Sequence, residues 1–319
     1  MVERVGGLQT QYAPSGYIAL WSRMHHFTRD ALTMALERRR IVQATMMRVT
    51  IHMASPDDFA LFVAGVKRAR QQWWIRTHRR EIEGLDMDAV AARVREYLAS
   101  GPLRTSKLLE LLRQDGLPPV AWSGAGLWVD LVRVPPSGTW DQRRADLYGL
   151  AEQWLGPSRA TETEGLEHLV RRYLGGFGPA PPGDVANWAG VPVTTIRPVV
   201  ERLPLRRFRS EEGTVLFDLP RAPLPDPDVQ APVRFLPTWE PSLLTHARRA
   251  GVLPERYRDL VFSTQTPQSM CTFLVEGRVA GSWRYQGGRI RIDPFEALPR
   301  RIRQELDEEA RGLAAFHAD

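Results

Sequence analysis

The stretch at 181–203, PPGDVANWAGVPVTTIRPVVERL, constrains the chain more than any other. Pro181-Pro182-Gly183-Asp184 opens a short helix over 185–188, and Gly190 ends it, because a left-handed cap suits a residue without Cβ. Pro192-Val193-Thr194-Thr195 starts a second helix that runs to Leu203. Short helix, glycine turn and second helix make a helix-turn-helix. Two runs follow, 205–209 and 214–217, on either side of Ser210-Glu211-Glu212-Gly213, and they read as a two-stranded wing. Arg206, Arg207 and Arg209 lie on this wing as candidate phosphate contacts. A helix over 162–174, closed by Gly175-Gly176, precedes the motif.

The same order occurs twice more, less cleanly. Val90, Val94 and Leu98 recur at helical spacing, and Gly101-Pro102 stops that helix. Thr105-Ser106 starts another over 107–114, a third covers 125–131, and 133–140 reads as a strand and tight turn. Nearer the start, Ser15 caps a helix through Trp21 and Arg23, and Thr28 caps one over 31–36. Residues 39–53 read as two strands, or as a strand running into a helix. Ser55-Pro56-Asp57-Asp58 begins a helix over 59–78. It ends in a basic and aromatic stretch that runs just past it: Lys67, Arg68, Arg70, Trp73, Trp74, Arg76, Arg79 and Arg80.

After a Pro-rich linker at 220–227 the chain changes character. Short strands are expected at 233–236, 271–276, 279–285 and 289–292, with hairpin turns at Glu276-Gly277 and Gly287-Gly288. A charged helix over 299–315 closes the chain. The expected fold is α+β: winged-helix modules at 1–84, 85–155 and 156–222, then a β-rich domain with a terminal helix at 223–319.

Composition narrows the setting. Hydrophobic residues are 43% of the 319, enough to fill cores of this kind. The net charge is +6 and the basic residues are overwhelmingly Arg, whose planar fork suits phosphates and base edges. The single cysteine, Cys271, excludes an intramolecular disulfide and a Cys-rich metal site, and it reads as a small buried strand residue. A reducing cytoplasm fits. No apolar run is long enough for a membrane span, and no signal pattern opens the chain. The seven histidines are scattered, so neither metal nor cofactor is expected. No sustained heptad appears, and a monomer acting on double-stranded DNA is expected.

Gln9-Thr10-Gln11 is the sharpest candidate site. Residues two apart on an extended segment project to the same side, so two carboxamides can hold one water or one sugar between them. The plainer reading is a polar surface turn. Arg48, Thr50 and His52 alternate, and on one strand face they would line a DNA channel or simply be half exposed. Arg284, beside Trp283, is a further candidate phosphate contact. Trp239 and Trp283 read as core residues, and His25-His26 as a surface pair.

Four unlinked segments, GLQTQYAPSGYIALWSR, QATMMRVTIHMASPDDF, RFLPTWEPSLLTHARR and TFLVEGRVAGSWR, together resemble the AlkZ/YcaQ-type winged-helix DNA glycosylases. The resemblance runs from Gly7 to the final helix. It implies three winged-helix motifs and a β-rich domain forming a C-shaped clamp on duplex DNA. It also implies that Gln9 and Gln11 are the catalytic Gln-x-Gln motif, of a subgroup that removes bulky N7-alkylguanine adducts and unhooks crosslinks. Thr10 departs from the aliphatic residue usual at the centre. The motif also lies almost at the start, where the family has further helices, so a shortened first module is expected.

Amides suit one chemistry in particular. Gln has no useful pKa and cannot serve as an ordinary general base. An N7-alkylated purine already carries positive charge and leaves readily, so the enzyme has mainly to position water and stabilise an oxocarbenium-like sugar. With no Lys near the motif, a monofunctional glycosylase without a lyase step is expected. The competing readings are a winged-helix regulator or architectural DNA binder, and a member of the family that recognises lesions without cutting.

Overall fold

The computed structural model describes residues 1–226, 228–245, 250–262 and 269–318. Pro227 of the linker and residues 246–249 of the third quoted segment lie outside the described residues.

The chain opens with a 3-10 turn, Val2–Val5, then β1 Leu8–Gln9, α1 Pro14–Trp21, α2 Arg29–Glu37, β2 Val42–Thr45, a 3-10 turn Met47–Val49, β3 Ile51–Ala54 and α3 Pro56–Thr77. Next come α4 Met87–Leu98, β4 Leu103–Arg104, α5 Thr105–Gln114, α6 Pro119–Trp128, β5 Leu131–Arg133, β6 Leu147–Leu150 and α7 Ala151–Leu155. The helix-turn-helix region is α8 Glu162–Phe177, α9 Pro182–Ala189 and α10 Val193–Arg202, followed by the wing, β7 Arg206–Arg209 and β8 Val215–Asp218. The last part holds β9 Arg234–Leu236, α11 Pro241–Leu244, α12 Arg258–Val261, β10 Thr272–Val275, β11 Arg278–Gln286, β12 Arg289–Pro294 and α13 Arg300–Ala318. The fold is α+β.

Local chemistry explains many of these ends. Ser55 accepts from the Asp58 amide at the start of α3, and Thr161 with Glu164 forms a reciprocal capping box on α8. Gly190 closes α9 in the left-handed region, φ 73°.

One six-stranded sheet has the order β1-β3-β2-β5-β6-β4, and the antiparallel β2–β5 pair (Gln43 opposite Arg133) carries it across residues 84 and 85. A four-stranded sheet, β12-β11-β10-β9, forms the C-terminal unit. Its inner residues Phe235, Phe273 and Trp283 share a core with Leu8, Tyr17 and Ile18 from the start of the chain. A second core joins α3 to α8, α9 and α10. There α3 and α8 approach so closely that a Cβ on Gly165 would stand 2.3 Å from the Gly65 nitrogen. Buried Asp58 ties the same pair together, accepting from His168 Nε2 at 2.6 Å and Arg172 Nε at 2.8 Å.

Several local expectations are corrected. Ser15 does not cap α1: the N-cap is Ala13, and Ser15 lies buried inside the helix. The pair Gly175-Gly176 does not close α8, which runs on to Phe177; a Cβ on Gly176 would stand 2.8 Å from the Arg4 carbonyl. The helix expected at 125–131 begins earlier, at Pro119, whose fixed φ suits a first helical turn. Trp239 is only half buried, with φ 61°, whereas Trp283 is core.

Candidate active site

Gln9 sits on β1, whose register pairs it with His52 on β3. Thr10 continues the extension, its amide donating to the Ile51 carbonyl at 2.7 Å. The Thr10 side chain is buried, and its hydroxyl accepts from Gln43 Nε2 at 3.0 Å. A buried Gln43 donor thus gives the central hydroxyl of the motif a partner.

The two flanking amides are held by donors. Gln9 Oε1 accepts from Arg48 Nη2 at 2.7 Å, and Gln11 Oε1 accepts from the Ile51 amide at 2.7 Å. Guanidinium and backbone N–H groups only donate, so each partner dictates which end of the amide faces it. Each carboxamide keeps its NH2 edge and one oxygen lone pair for other partners. Their settings differ: Gln9 is 5% exposed, whereas Gln11 is open to solvent.

Arg48 anchors this geometry from outside the strand. Its Nη1 donates to the Trp188 carbonyl at the end of α9, while Nη2 reaches Gln9. Arg48 and Val49 are both left-handed, φ 52° and 57°, in the tight turn between β2 and β3. This turn lies against the α9–α10 turn, where a Cβ on Gly190 would come within 2.8 Å of the Arg48 nitrogen. Burial lowers the Arg48 pKa to about 10, which leaves the guanidinium charged at neutral pH.

Arg48, Thr50 and His52 therefore do not share a strand face: Arg48 lies in the turn and β3 begins at Ile51. Thr50 is half buried, and its hydroxyl donates to the Met47 carbonyl at 3.0 Å, bracing the turn. His52 is 2% exposed, with Nδ1 3.0 Å from the Thr50 carbonyl. Burial, assisted by the Arg48 charge, pushes its pKa down to about 3, so the ring is neutral and a poor base at neutral pH. His52 is thus buried on β3 and not on an exposed strand face.

On the wing, pleating separates the arginines. Arg207 and Arg209 are exposed, whereas Arg206 is half buried, 5.0 Å from the Phe208 ring centre and 3.4 Å from the Ala222 carbonyl. Arg284 is exposed on β11 and donates to Asp293 across the hairpin at 2.7 Å, so its charge is already shared. Sequence reasoning missed the Arg48 bridge, since Trp188 lies 140 residues away. Among the described residues, no group of three or more His, Cys, Asp or Glu could hold a metal, and no helix is long and apolar enough to cross a membrane.

The family model described as DNA glycosylase AlkZ-like matches residues 2–316. The fold is similar to that of the Streptomyces sahachiroi DNA glycosylase AlkZ, with a TM-score of 0.82 and 19% sequence identity. That alignment covers 99% of this chain and 90% of the other. No curated protein matches the sequence.

Proposed function

This chain belongs to the AlkZ-like DNA glycosylase family, and from that premise we propose that it hydrolyses the N-glycosidic bond of cationic alkylated purines in duplex DNA. N7-alkylguanine is the foremost substrate, bulky adducts and crosslinks included, in repair or in self-resistance to a genotoxin. The observation that carries this reading is the restraint of both motif amides, Gln9 by Arg48 and Gln11 by the Ile51 amide.

In the proposed reaction the C1′–N9 bond breaks and its electron pair neutralises the purine. Water oxygen bonds to C1′ and releases its proton to bulk water. The lone pairs left on Gln9 and Gln11 accept from that water and face the developing sugar cation, so the amides orient and stabilise rather than take up the proton. Their preorganisation matters because an amide that need not reorient keeps its full effect on the transition state. Neutral His52 adds no second positive charge beside the sugar.

The test is single-turnover excision from a duplex with one N7-methylguanine, scored by alkaline cleavage of the abasic product. The wild type is expected to cut. Gln9→Ala and Gln11→Ala are each expected to be slower by on the order of 10²-fold, softened by the labile leaving group, with duplex affinity nearly intact. Wild-type rates in both variants would make the motif a mere surface turn.

A further inference from the structure

A cleft of about 450 Å³ lies between α3 and the α9–α10 turn, with the Arg48 turn as its floor. Arg48, Arg70 and Arg76 line it together with Trp73, and no Asp or Glu among the described residues does so. Trp73 is 45% exposed, an unusual setting for the largest apolar side chain, and Arg76 is exposed one helical turn along. The Arg70 guanidinium is buried, donating to the Thr45 carbonyl at 2.9 Å, and Asp130 stands 3.8 Å away. Arg48 and Arg70 both hold internal contacts, so they supply field, while Arg76 is placed to touch a ligand.

The charge decides the class of ligand. Arg70 has Asp130 3.8 Å away, but the cleft lining itself holds three guanidinium groups and no carboxylate, and a positive lining of that kind attracts a phosphodiester. An exposed indole beside them offers a face on which any base can stack, with little regard to sequence. The cleft also shares Arg48 with Gln9, which places it directly beside the motif.

We propose that this cleft binds one unstacked nucleotide of the DNA strand next to the excision site, its base against Trp73 and its phosphate at Arg76. The leaving purine is thereby assigned elsewhere, on the Gln9–Gln11 side of the Arg48 turn. The proposal rests on the reading of this chain as a glycosylase acting on duplex DNA. Drawing a neighbouring nucleotide into the cleft holds the strand open at the lesion, and the cost of unstacking is offset by the indole and the positive field.

The test uses the full chain and two undamaged labelled duplexes, one fully paired and one with a single-nucleotide bulge. Affinities are measured by fluorescence anisotropy across a salt series. Trp73→Ala is expected to weaken bulged-duplex binding roughly tenfold and leave the paired duplex within about twofold. Arg76→Ala is expected to reduce the slope of log affinity against log salt by roughly one on both duplexes. Arg301→Ala on the exposed face of α13 serves as the charge control and should leave that slope unchanged. Equal losses on both duplexes for Trp73→Ala, no loss on either, or an unchanged slope for Arg76→Ala would each overturn the proposal. Wild-type excision of N7-methylguanine is measured in parallel. Its absence alongside the expected binding pattern would count against the substrate reading alone.

Discussion

Arg48 Nη2 donates to Gln9 Oε1 at 2.7 Å while its other terminal nitrogen reaches the Trp188 carbonyl, so one guanidinium couples the helix-turn-helix to the first glutamine of the motif. The second glutamine has no such link and leans on a backbone amide. The two residues thus share a motif and differ in what their removal leaves behind.

That asymmetry is measurable in stability. Gln9→Ala strands a donor of a half-buried cation, a loss of about 1–3 kcal/mol, whereas Gln11→Ala breaks a bond at an exposed position, where water can take its place. The melting midpoint of Gln9→Ala is expected to fall by a few degrees and that of Gln11→Ala by less. Arg48→Lys should not restore excision lost in Arg48→Ala, since an ammonium cannot span both acceptors with the geometry of a planar fork. Thermal melting and single-turnover rates on the same variants check both statements. Equal melting shifts for the two glutamine variants would refute the asymmetry.

The acid limit of stability is expected to depend on His52. Its folded pKa is about 3, pushed down by burial and then by Arg48, against about 6.5 for an unperturbed side chain. Between these values the unfolded chain binds a proton that the folded chain refuses. The contribution is therefore complete above about pH 6.5 and is lost as pH falls towards 3, at up to about 1.4 kcal/mol per pH unit. His317 acts in the same sense with a smaller depression, to about 4, caused by burial and then by Arg143 and Arg29. Denaturant midpoints from pH 7 to 4 should fall more steeply for the wild type than for His52→Gln. Parallel curves would show that His52 does not control this limb.

A third expectation concerns the joint between α1 and the C-terminal unit. Glu240 is fully buried, and Arg23 at the end of α1 donates to both its carboxylate oxygens. Glu240 also accepts from the Ser242 amide at 3.1 Å, which caps α11. Removing one partner of a buried ion pair leaves the other charge uncompensated and costs roughly 3–5 kcal/mol. Arg23 keeps some contact with water, so Glu240→Ala is expected near the low end. Urea unfolding measures it, and a change below about 1 kcal/mol would mean that water compensates Arg23.

The sequence made the helix-turn-helix and its wing legible because their signals are local: Gly190, Pro192 and the SEEG turn each act within a few residues, although no threonine side chain caps α10. The hairpin turns at Glu276-Gly277 and Gly287-Gly288 were readable for the same reason. The Arg48 turn was not, since its left-handed residues depend on Trp188 and Gly190 from a distant helix pair. Alternation in RVTIH implied a strand face that this turn interrupts. The start of α6 was hidden by Pro118-Pro119, which reads as a break until the second proline is seen to open the helix. In α3 the basic and aromatic run was visible, but only tertiary packing separates buried Trp74 from exposed Trp73.

The last expectation is substrate range, and it follows from the chemistry the motif offers. Gln9 and Gln11 are amides, His52 is neutral and buried, and no acid lies between the two glutamines. A neutral leaving group normally needs a carboxylate to activate water or to balance the sugar cation. A cationic N7- or N3-alkylpurine brings its own activation, because bond cleavage neutralises it. Excision of such lesions is therefore expected, bulky ones included, with no detectable release of uracil, hypoxanthine or 8-oxoguanine. The measurement is a panel of duplexes, each with one defined lesion, scored for abasic sites under single-turnover conditions. Uracil release at a rate comparable to N7-methylguanine would mean that a group other than these two amides supplies the activation.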